Sequence, residues 1–253
     1  MPLISTQAII LSTLRYGETS KIVRLATREH GVQSAIAKGA SRPRSRFGAA
    51  LQALSGGQAH LLLSERRDLH TLTGFDITTL PVRLASEVSR YATATALAEL
   101  MLRVAPPDPH PEAFDTFEAA LALLEEAPPP ALPALTLRCV WALVGALGFA
   151  PVLEVCARDG RPIDAAGTLP FSTAEGGALC RLCAQTHEVT DLPAESYQAL
   201  AALLDATAAL PALDARHASA HRRLLSRYIR HHLAEGATLT ALEFWQQPAW
   251  SVG

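Results

Sequence analysis

Three of the four cysteines fall in one stretch whose spacing is typical of metal ligands. Cys180 and Cys183 form a CxxC pair, a short knuckle that can present two thiolates to one metal ion. Cys156 begins a second knuckle of the same spacing, with Asp159 in the place of a fourth cysteine. We therefore predict one zinc ion held by Cys156, Asp159, Cys180 and Cys183. His187 is a rival fourth ligand, and a knuckle that no longer holds metal is the alternative.

A second group of chemically active residues is cationic. The segment from Lys38 to Arg46 combines four cations with Gly, Ser and Pro, which predicts a flexible loop after a strand. Such a loop can follow a phosphate backbone, and the release of counterions drives this binding. We predict that the loop binds DNA together with an adjacent strand; the residues are Lys21, Arg24, Lys38, Arg42, Arg44 and Arg46.

Near the carboxyl end, cations recur on a predicted helix. Arg223, Arg227 and Arg230 stand at i, i+4 and i+7 and therefore share one face. A face of cations without regular acidic partners indicates a second contact with DNA or with a partner protein; a solvated face is the alternative. Cys139 lies in the middle of an apolar helix, so we interpret it as a core thiol.

The motifs of covalent catalysis are missing from the sequence. It contains no GxxxxGK[ST], no GxGxxG after a strand and no GxSxG. Gly56-Gly57 is interpreted as a turn. We therefore expect a protein that is not an enzyme.

The elements that must position these residues divide the chain in two. Residues 1–80 read as five short strands, with a longer excursion between the third and the fourth. They predict a small closed barrel of the oligonucleotide/oligosaccharide-binding (OB) type, while an SH3-like barrel fits the count almost as well. The strands are Thr6–Ser12, Lys21–Thr27, Val32–Lys38, Gln58–Ser64 and Leu69–Phe75.

Residues 81–253 read as a helical domain with an irregular insert at 151–192 that contains the three cysteines. The predicted helices are Val82–Val104, Glu112–Ala127, Leu132–Leu147, Ala194–Ala209 and Ala215–Ala234. Charge follows the same division, because residues 1–80 carry a net charge of +5 while the whole chain carries −2. A basic module on an acidic body is typical of proteins that meet a polyanion. The sequence shows no run of eighteen apolar residues and no secretory signal, so we expect a cytoplasmic protein without a membrane span.

Short motifs along the first domain closely resemble the RecO family of bacterial recombination mediators. They are Arg15-Tyr16-Gly17-Glu18, Arg24-Leu25-Ala26-Thr27, Glu29-His30-Gly31 and Ala37-Lys38-Gly39-Ala40. The resemblance continues through the cysteine segment to Arg227-Tyr228-Ile229-Arg230 and covers essentially the whole chain. It implies an α+β chain of several domains: an OB-fold DNA-binding barrel, then a helical domain with an inserted zinc-finger-like motif.

The same resemblance implies a function. RecO proteins bind single- and double-stranded DNA, anneal complementary strands, and with RecR and RecF help load RecA onto strands coated by single-strand-binding protein (SSB). We expect this function in DNA repair, in the cytoplasm at the nucleoid, and a basic groove near the closing helix as the receiver of the acidic SSB tail. One departure from the family is Asp159, which replaces the fourth cysteine. The alternatives are a protein-interaction adaptor with incidental DNA affinity, and an RNA-binding or ribosome-associated zinc protein.

Overall fold

Five strands at the amino end close into a barrel in the computed structural model, which describes residues 2–48, 50–64, 68–105, 108–163, 167–234 and 238–247. The strands run β1-β2-β3-β5-β4 around the barrel, with β3 and β5 parallel and β1 and β4 closing it antiparallel. This order is the OB fold, so the structure decides against the SH3-like alternative. Their bounds are β1 Leu3–Tyr16, β2 Ser20–Thr27, β3 Gly31–Ala37, β4 Gly56–Leu62 and β5 Leu69–Thr79.

β1 is twice as long as its apolar core pattern suggests. It pairs with β4 from Leu3 to Ile9 and with β2 from Ala8 to Tyr16, and a bulge between Ile10 and Ser12 shifts the register. A bulge increases the local twist, which lets one strand serve two neighbours in a closed barrel. The sequence prediction ends at Ser12, because the residues beyond it include exposed apolar side chains that do not alternate like a core strand.

The prediction of a turn at Gly56-Gly57 is wrong, because both glycines begin β4. A Cβ atom at Gly57 would lie 2.3 Å from the carbonyl oxygen of Asp76 on β5. The register of β4 and β5 shifts between the two glycines. Glycine is therefore needed at position 57 for a close approach of two backbones.

The barrel and three helices form the first of two compact units, Met1–Glu126. The helices are α1 Val82–Ser86, α2 Val88–Val104 and α3 Pro111–Glu126. The predicted single helix from Val82 to Val104 breaks at Glu87, whose backbone is extended. Arg90, which is fully buried, reaches the carbonyl oxygen of Leu124 at the end of α3, and Glu87 accepts from its Nε over 2.8 Å. The break thus lets Arg90 satisfy carbonyls at the end of α3.

The second unit, Ala127–Gly253, consists of helices and a small sheet. Its helices are α4 Leu132–Val144, α5 Arg181–Ala184, α6 Ala194–Leu204, α7 Ala215–Leu233 and α8 Thr240–Gln246. Cys139 is buried in α4, and burial raises the pKa of its thiol to about 12, as expected for a core residue. Residues 129–149 are long and apolar enough to cross a membrane, but more than half of the segment is buried and α4 packs against α6 and α7. We interpret α4 as the core helix of this unit.

The second unit differs from the sequence prediction in several places, and α4 ends at Val144 where the sequence predicts a helix to Leu147. α6 ends at Leu204 instead of Ala209, because the carboxylate of Asp205 accepts from the N–H and hydroxyl of Thr207 and forms a turn. The insert, predicted to be irregular, contains a three-stranded sheet in the order β7-β6-β8, with β6 Leu169–Ser172, β7 Gly177–Ala178 and β8 Thr190–Leu192. The sequence does not predict α8, because its seven residues are too short for a clear periodic pattern.

Candidate metal centre and nucleic-acid interface

The four predicted metal ligands lie together in the insert. One ligand atom from each of Cys156, Asp159, Cys180 and Cys183 lies within 4.8 Å of the other three. The Asp159 Oδ2 atom is 3.6 Å from Cys180 Sγ and 3.5 Å from Cys183 Sγ. In a tetrahedral zinc site, a sulfur and a carboxylate oxygen are about 3.6 Å apart. These distances are compatible with such a site, and the group can hold a metal ion.

A backbone turn and a helix N-cap build this arrangement. Cys156 donates its N–H to Arg161 O over 2.7 Å, and Gly160 donates to Cys156 O, with Gly160 at φ +73° in the turn. The second knuckle begins at Cys180, which caps the short helix α5 and accepts the N–H of Cys183 on its sulfur. Both knuckles are thus held by local hydrogen bonds that leave the thiols pointing at one centre.

The two carboxylate oxygens of Asp159 make different contacts. Oδ1 accepts the backbone N–H of Arg161, while Oδ2 faces the thiols and lies 3.4 Å from the Arg161 guanidinium. The hydrogen bond from Arg161, followed by those from the thiols, lowers the pKa of Asp159. The carboxylate is therefore ionised and available as a ligand at neutral pH.

The thiols differ in their tendency to ionise. Burial opposes ionisation of Cys156, but backbone N–H groups, foremost that of Cys180, outweigh it, and the pKa of this thiol is lowered. Loss of water contact, followed by hydrogen bonds with the other ligands, raises the pKa of Cys183 to about 12. The neighbouring anionic groups thus oppose ionisation of Cys183, and a cation bound between the four side chains would favour it.

His187, the rival fourth ligand, is engaged elsewhere. Its Nδ1 lies 2.8 Å from Cys183 O, and its Nε2 lies 3.7 Å from a carboxylate oxygen of Glu175. It does not belong to the four-ligand group. The geometry therefore favours Asp159.

The basic segment after β3 is anchored, in contrast to the flexible loop that the sequence predicts. Ala40 and Phe47 are buried in the barrel core, and successive turns are closed by hydrogen bonds such as Arg42 N–H to Gly39 O. The Arg46 guanidinium lies 5.2 Å from the centre of the Phe47 ring. The four cations of this basic loop, Lys38, Arg42, Arg44 and Arg46, are all exposed.

Lys21 and Arg24 lie on opposite faces of β2. Lys21 alternates along β2 with the same phase as Val23 and Leu25, whose side chains point into the barrel. It lies at the rim of the barrel and pairs with Ala37, the residue before Lys38. Arg24 is exposed on the outer face of the sheet and pairs with Ser34. The structure thus brings Lys21 to the rim from which the basic loop leaves, and places Arg24 on a separate surface.

Arg223, Arg227 and Arg230 line one cavity of about 490 Å³ in the second unit. Its other wall is the segment from Thr190 to Pro193, and Arg227 donates to the Thr190 hydroxyl over 3.5 Å. Arg223 donates to Ser219 and Arg230 to Gln246, so their described partners are neutral. We call this the closing-helix cavity.

Three polar residues of the closing-helix cavity carry no signal in the sequence. His221 and Ser226 are buried, and neither the His221 ring nitrogens nor the Ser226 hydroxyl has a hydrogen-bond partner among the described residues. Gln246 Nε2 is likewise buried and unpartnered in this part of the chain. Buried polar groups without partners are rare and indicate a ligand or water. A hydrophobic face pattern cannot reveal them, because it does not report hydrogen-bond partners.

Sequence comparisons cover both units. The family described as Recombination protein O N terminal matches residues 1–80, and Recombination protein O C terminal matches residues 85–239. The chain is 34% identical over 249 residues to the DNA repair protein RecO of Anaeromyxobacter dehalogenans, covering 96% of each chain. It is 34% identical over 247 residues to that of Myxococcus xanthus, covering 95% of this chain and 96% of the relative. The chain belongs to the RecO family of DNA repair proteins.

Proposed function

We propose that this chain is a recombination mediator that binds single- and double-stranded DNA through its barrel and anneals complementary strands without hydrolysing a nucleotide. The observation that carries the proposal is the basic loop, in which Lys38, Arg42, Arg44 and Arg46 are exposed on one anchored segment. An anchored loop presents its cations to successive phosphates with a smaller entropic cost than a free coil. Affinity from such contacts is independent of base sequence, as annealing of arbitrary strands requires.

Lys21 supports the same reading, since it extends the cationic surface across the barrel rim. A salt slope of about 0.7 for each phosphate contact on a single strand gives the proposal a measurable signature. The sequence motifs of nucleotide hydrolysis are missing, which fits a protein that acts by binding.

The closing-helix cavity supports the proposal that the second unit binds a partner protein. Its three arginines outnumber the carboxylate of Asp191 in the lining and offer net positive charge, while Leu192, Pro193 and Leu224 offer apolar surface in the same cavity. A DNA backbone supplies only the charge, whereas an acidic peptide with an apolar residue supplies both. We therefore assign Arg223, Arg227 and Arg230 to the acidic tail of SSB in preference to DNA. With RecR, and indirectly with RecF, the chain would then help load RecA onto SSB-coated strands at the nucleoid in the cytoplasm.

In this proposal the metal ion has a structural role and stabilises the insert. Cys156, Asp159, Cys180 and Cys183 would hold one zinc ion, which supplies a rigid four-way link between the two knuckles. The proposed DNA-binding cations of the basic loop lie in the other unit, so we expect DNA binding to survive removal of the metal.

The experiment is a titration of the full chain with single-stranded and duplex DNA at several salt concentrations, together with an annealing assay without nucleotide. We expect a steep fall of affinity with salt and annealing without ATP. The competing function is an adaptor that works through protein contacts with incidental DNA affinity. Weak binding that does not change with salt, and no annealing, would support the adaptor.

A further inference from the structure

Three polar side chains on the outer face of the barrel form a hydrogen-bonded chain that the proposed function does not use. Ser5 on β1 pairs with His60 on β4, and the Ser5 Oγ atom lies 2.7 Å from His60 Nδ1. On the other side of the ring, His60 Nε2 lies 2.9 Å from Asp76 Oδ2 on β5. A hydroxyl, an imidazole and a carboxylate in this order are the groups that activate serine nucleophiles. We call Ser5, His60 and Asp76 the barrel triad.

The fold brings the barrel triad together from three strands. Ala59 and Leu61 belong to the barrel core, so the side chain of His60 between them lies on the outer face. Gly74 on β5 pairs with His60, and a Cβ atom at this glycine would lie 3.0 Å from His60 Cδ2. Glycine at position 74 therefore leaves room for the imidazole to lie across β5 towards Asp76. The register of β4 and β5 shifts directly after His60, and bulges of this kind are frequent next to active sites.

Each member of the barrel triad has its own role. Ser5 is exposed, so its hydroxyl is accessible to an electrophile from solution. Asp76 is 78% exposed and acts by position, because its carboxylate accepts a proton-bearing His60 Nε2 and thereby leaves Nδ1 free to take the Ser5 proton. In the serine proteases the hydroxyl faces Nε2 instead. Either ring nitrogen is a base when the other carries the proton.

The side chains beside Ser5 indicate which electrophile fits. Leu3 and Leu62 form the next outward pair of β1 and β4, and Leu3 is 65% exposed, so an aliphatic surface adjoins the hydroxyl. Gln58 lies two residues before His60 on the same face of β4. A side-chain amide in such a position can donate to the oxyanion that forms when a carbonyl carbon is attacked. A carbonyl compound with a short aliphatic chain matches both features.

We propose that Ser5 is a nucleophile that takes an acyl group from an activated ester with a short aliphatic chain. The Ser5 Oγ atom forms a bond to the carbonyl carbon, and its proton passes to His60 Nδ1. The bond between the carbonyl carbon and the leaving oxygen then breaks, and the leaving alcohol takes up that proton. The acyl group stays on Ser5 as an ester, so the atoms balance without a further reactant. This inference goes beyond the proposed function and does not rest on DNA binding.

The test treats the full chain with p-nitrophenyl butyrate. Absorbance follows the release of p-nitrophenol, and peptide mass spectrometry identifies the acylated residue. We expect the butyryl group on Ser5, and none at this position in Ser5→Ala. His60→Gln should slow the acylation of Ser5 by about 100-fold or more, since general-base catalysis contributes about 10²–10⁴-fold.

Two sets of variants separate chemistry from folding. His70→Gln is the matched control, because it also removes an imidazole from the barrel, but His70 accepts the backbone N–H of Ser64 and lies outside the triad. It should leave the acylation rate unchanged. Asp76→Asn should slow the reaction, and Asp76→Glu, which keeps a carboxylate, should restore most of the rate. A merely structural contact of this exposed residue would not distinguish the two substitutions.

The site of the butyryl group and the rates decide the matter. Acylation of Lys21, Lys38 or the amino terminus without Ser5 would overturn the proposal. So would a rate at Ser5 no greater than that at Ser41, an exposed serine of the basic loop. An unchanged rate in His60→Gln or in Asp76→Asn would likewise reject the triad. DNA affinity does not enter any of these readouts, so the outcome is independent of the proposed function.

Discussion

The backbone N–H of Ser41 donates a hydrogen bond of 2.9 Å to the carbonyl oxygen of Thr19, which ties the loop after β3 to the turn before β2. Ser41 belongs to the basic loop, and Thr19 to the turn between β1 and β2. Because Ala40 and Phe47 are buried in the barrel core, the loop is fixed on both sides of its arginines. The cations are thus presented by the barrel itself.

Removing the arginines of this loop should weaken all DNA binding. We expect Arg42→Ala/Arg44→Ala/Arg46→Ala to lower the affinity for unrelated sequences alike, and to lower the salt slope by about 0.7 for each arginine that binds a phosphate of a single strand. Fluorescence anisotropy at several salt concentrations measures both. Arg83→Ala/Arg103→Ala, which removes exposed cations from the helices of the same unit, is the control. An unchanged slope in the loop variant would place the DNA site elsewhere.

The metal centre should depend on Asp159 and not on His187. Asp159→Ala should reduce the zinc content of purified protein, and Asp159→Cys should raise zinc affinity, because a thiolate is the softer ligand. His187→Ala should leave the content unchanged, since His187 lies outside the four-ligand group. Elemental analysis after purification without added metal gives the answer. Metal that survives Asp159→Ala but not His187→Ala would reverse the assignment.

Chelation should act on the insert alone. Removing the metal uncouples the two knuckles, so the segment Pro151–Leu192 should exchange its backbone amide hydrogens faster. The barrel lies in the other unit and should keep its exchange rates and its DNA affinity. Hydrogen exchange with mass spectrometry resolves the two parts, and a barrel that loosens with the insert contradicts this prediction.

The sequence is most informative where the chemistry is local. The CxxC pair and the knuckle at Cys156 identify the four clustered residues directly, because two short turns suffice to bring them together. The barrel follows from the number of strands, but its strand order does not, because pairing between distant strands leaves no local pattern.

Other features need the fold. Lys21 and Arg24 look like neighbours in the sequence, yet their separation by three residues places them on opposite faces of a strand. His221 and Ser226 lack hydrogen-bond partners among the described residues because of how α7 packs against its neighbours. The hydrophobic periodicity of the sequence contains no information about such partners.

His221 should make the second unit less stable in mild acid. Burial, followed by the charge of His217, lowers the pKa of His221 below its ordinary 6.5. The contribution of neutral His221 to the free energy of unfolding is therefore fully present above pH 6.5. It disappears as the pH falls from there towards the native pKa, because the unfolded chain takes up a proton that the folded chain resists.

The variant His221→Gln should flatten this dependence between pH 7 and pH 5, by up to about 1.4 kcal/mol per pH unit. Urea unfolding followed by tryptophan fluorescence measures it, since all three tryptophans lie in the second unit. His70, whose pKa burial also lowers, lies in the barrel, so His70→Gln should leave the fluorescence transition unchanged. A slope that persists in His221→Gln would contradict this account.

Charge reversal in the closing-helix cavity should separate partner binding from DNA binding. Arg227→Glu/Arg230→Glu places two carboxylates where we expect the acidic SSB tail, so its affinity should fall at least tenfold, about 1.4 kcal/mol, through repulsion. Arg216→Glu is the matched control, because Arg216 is exposed on the same helix and does not line the cavity. Binding of a tail peptide and of single-stranded DNA is measured for both variants, with the fold checked by circular dichroism. Weaker DNA binding with unchanged peptide affinity would assign the three arginines to DNA, the other partner that their spacing in the sequence indicates.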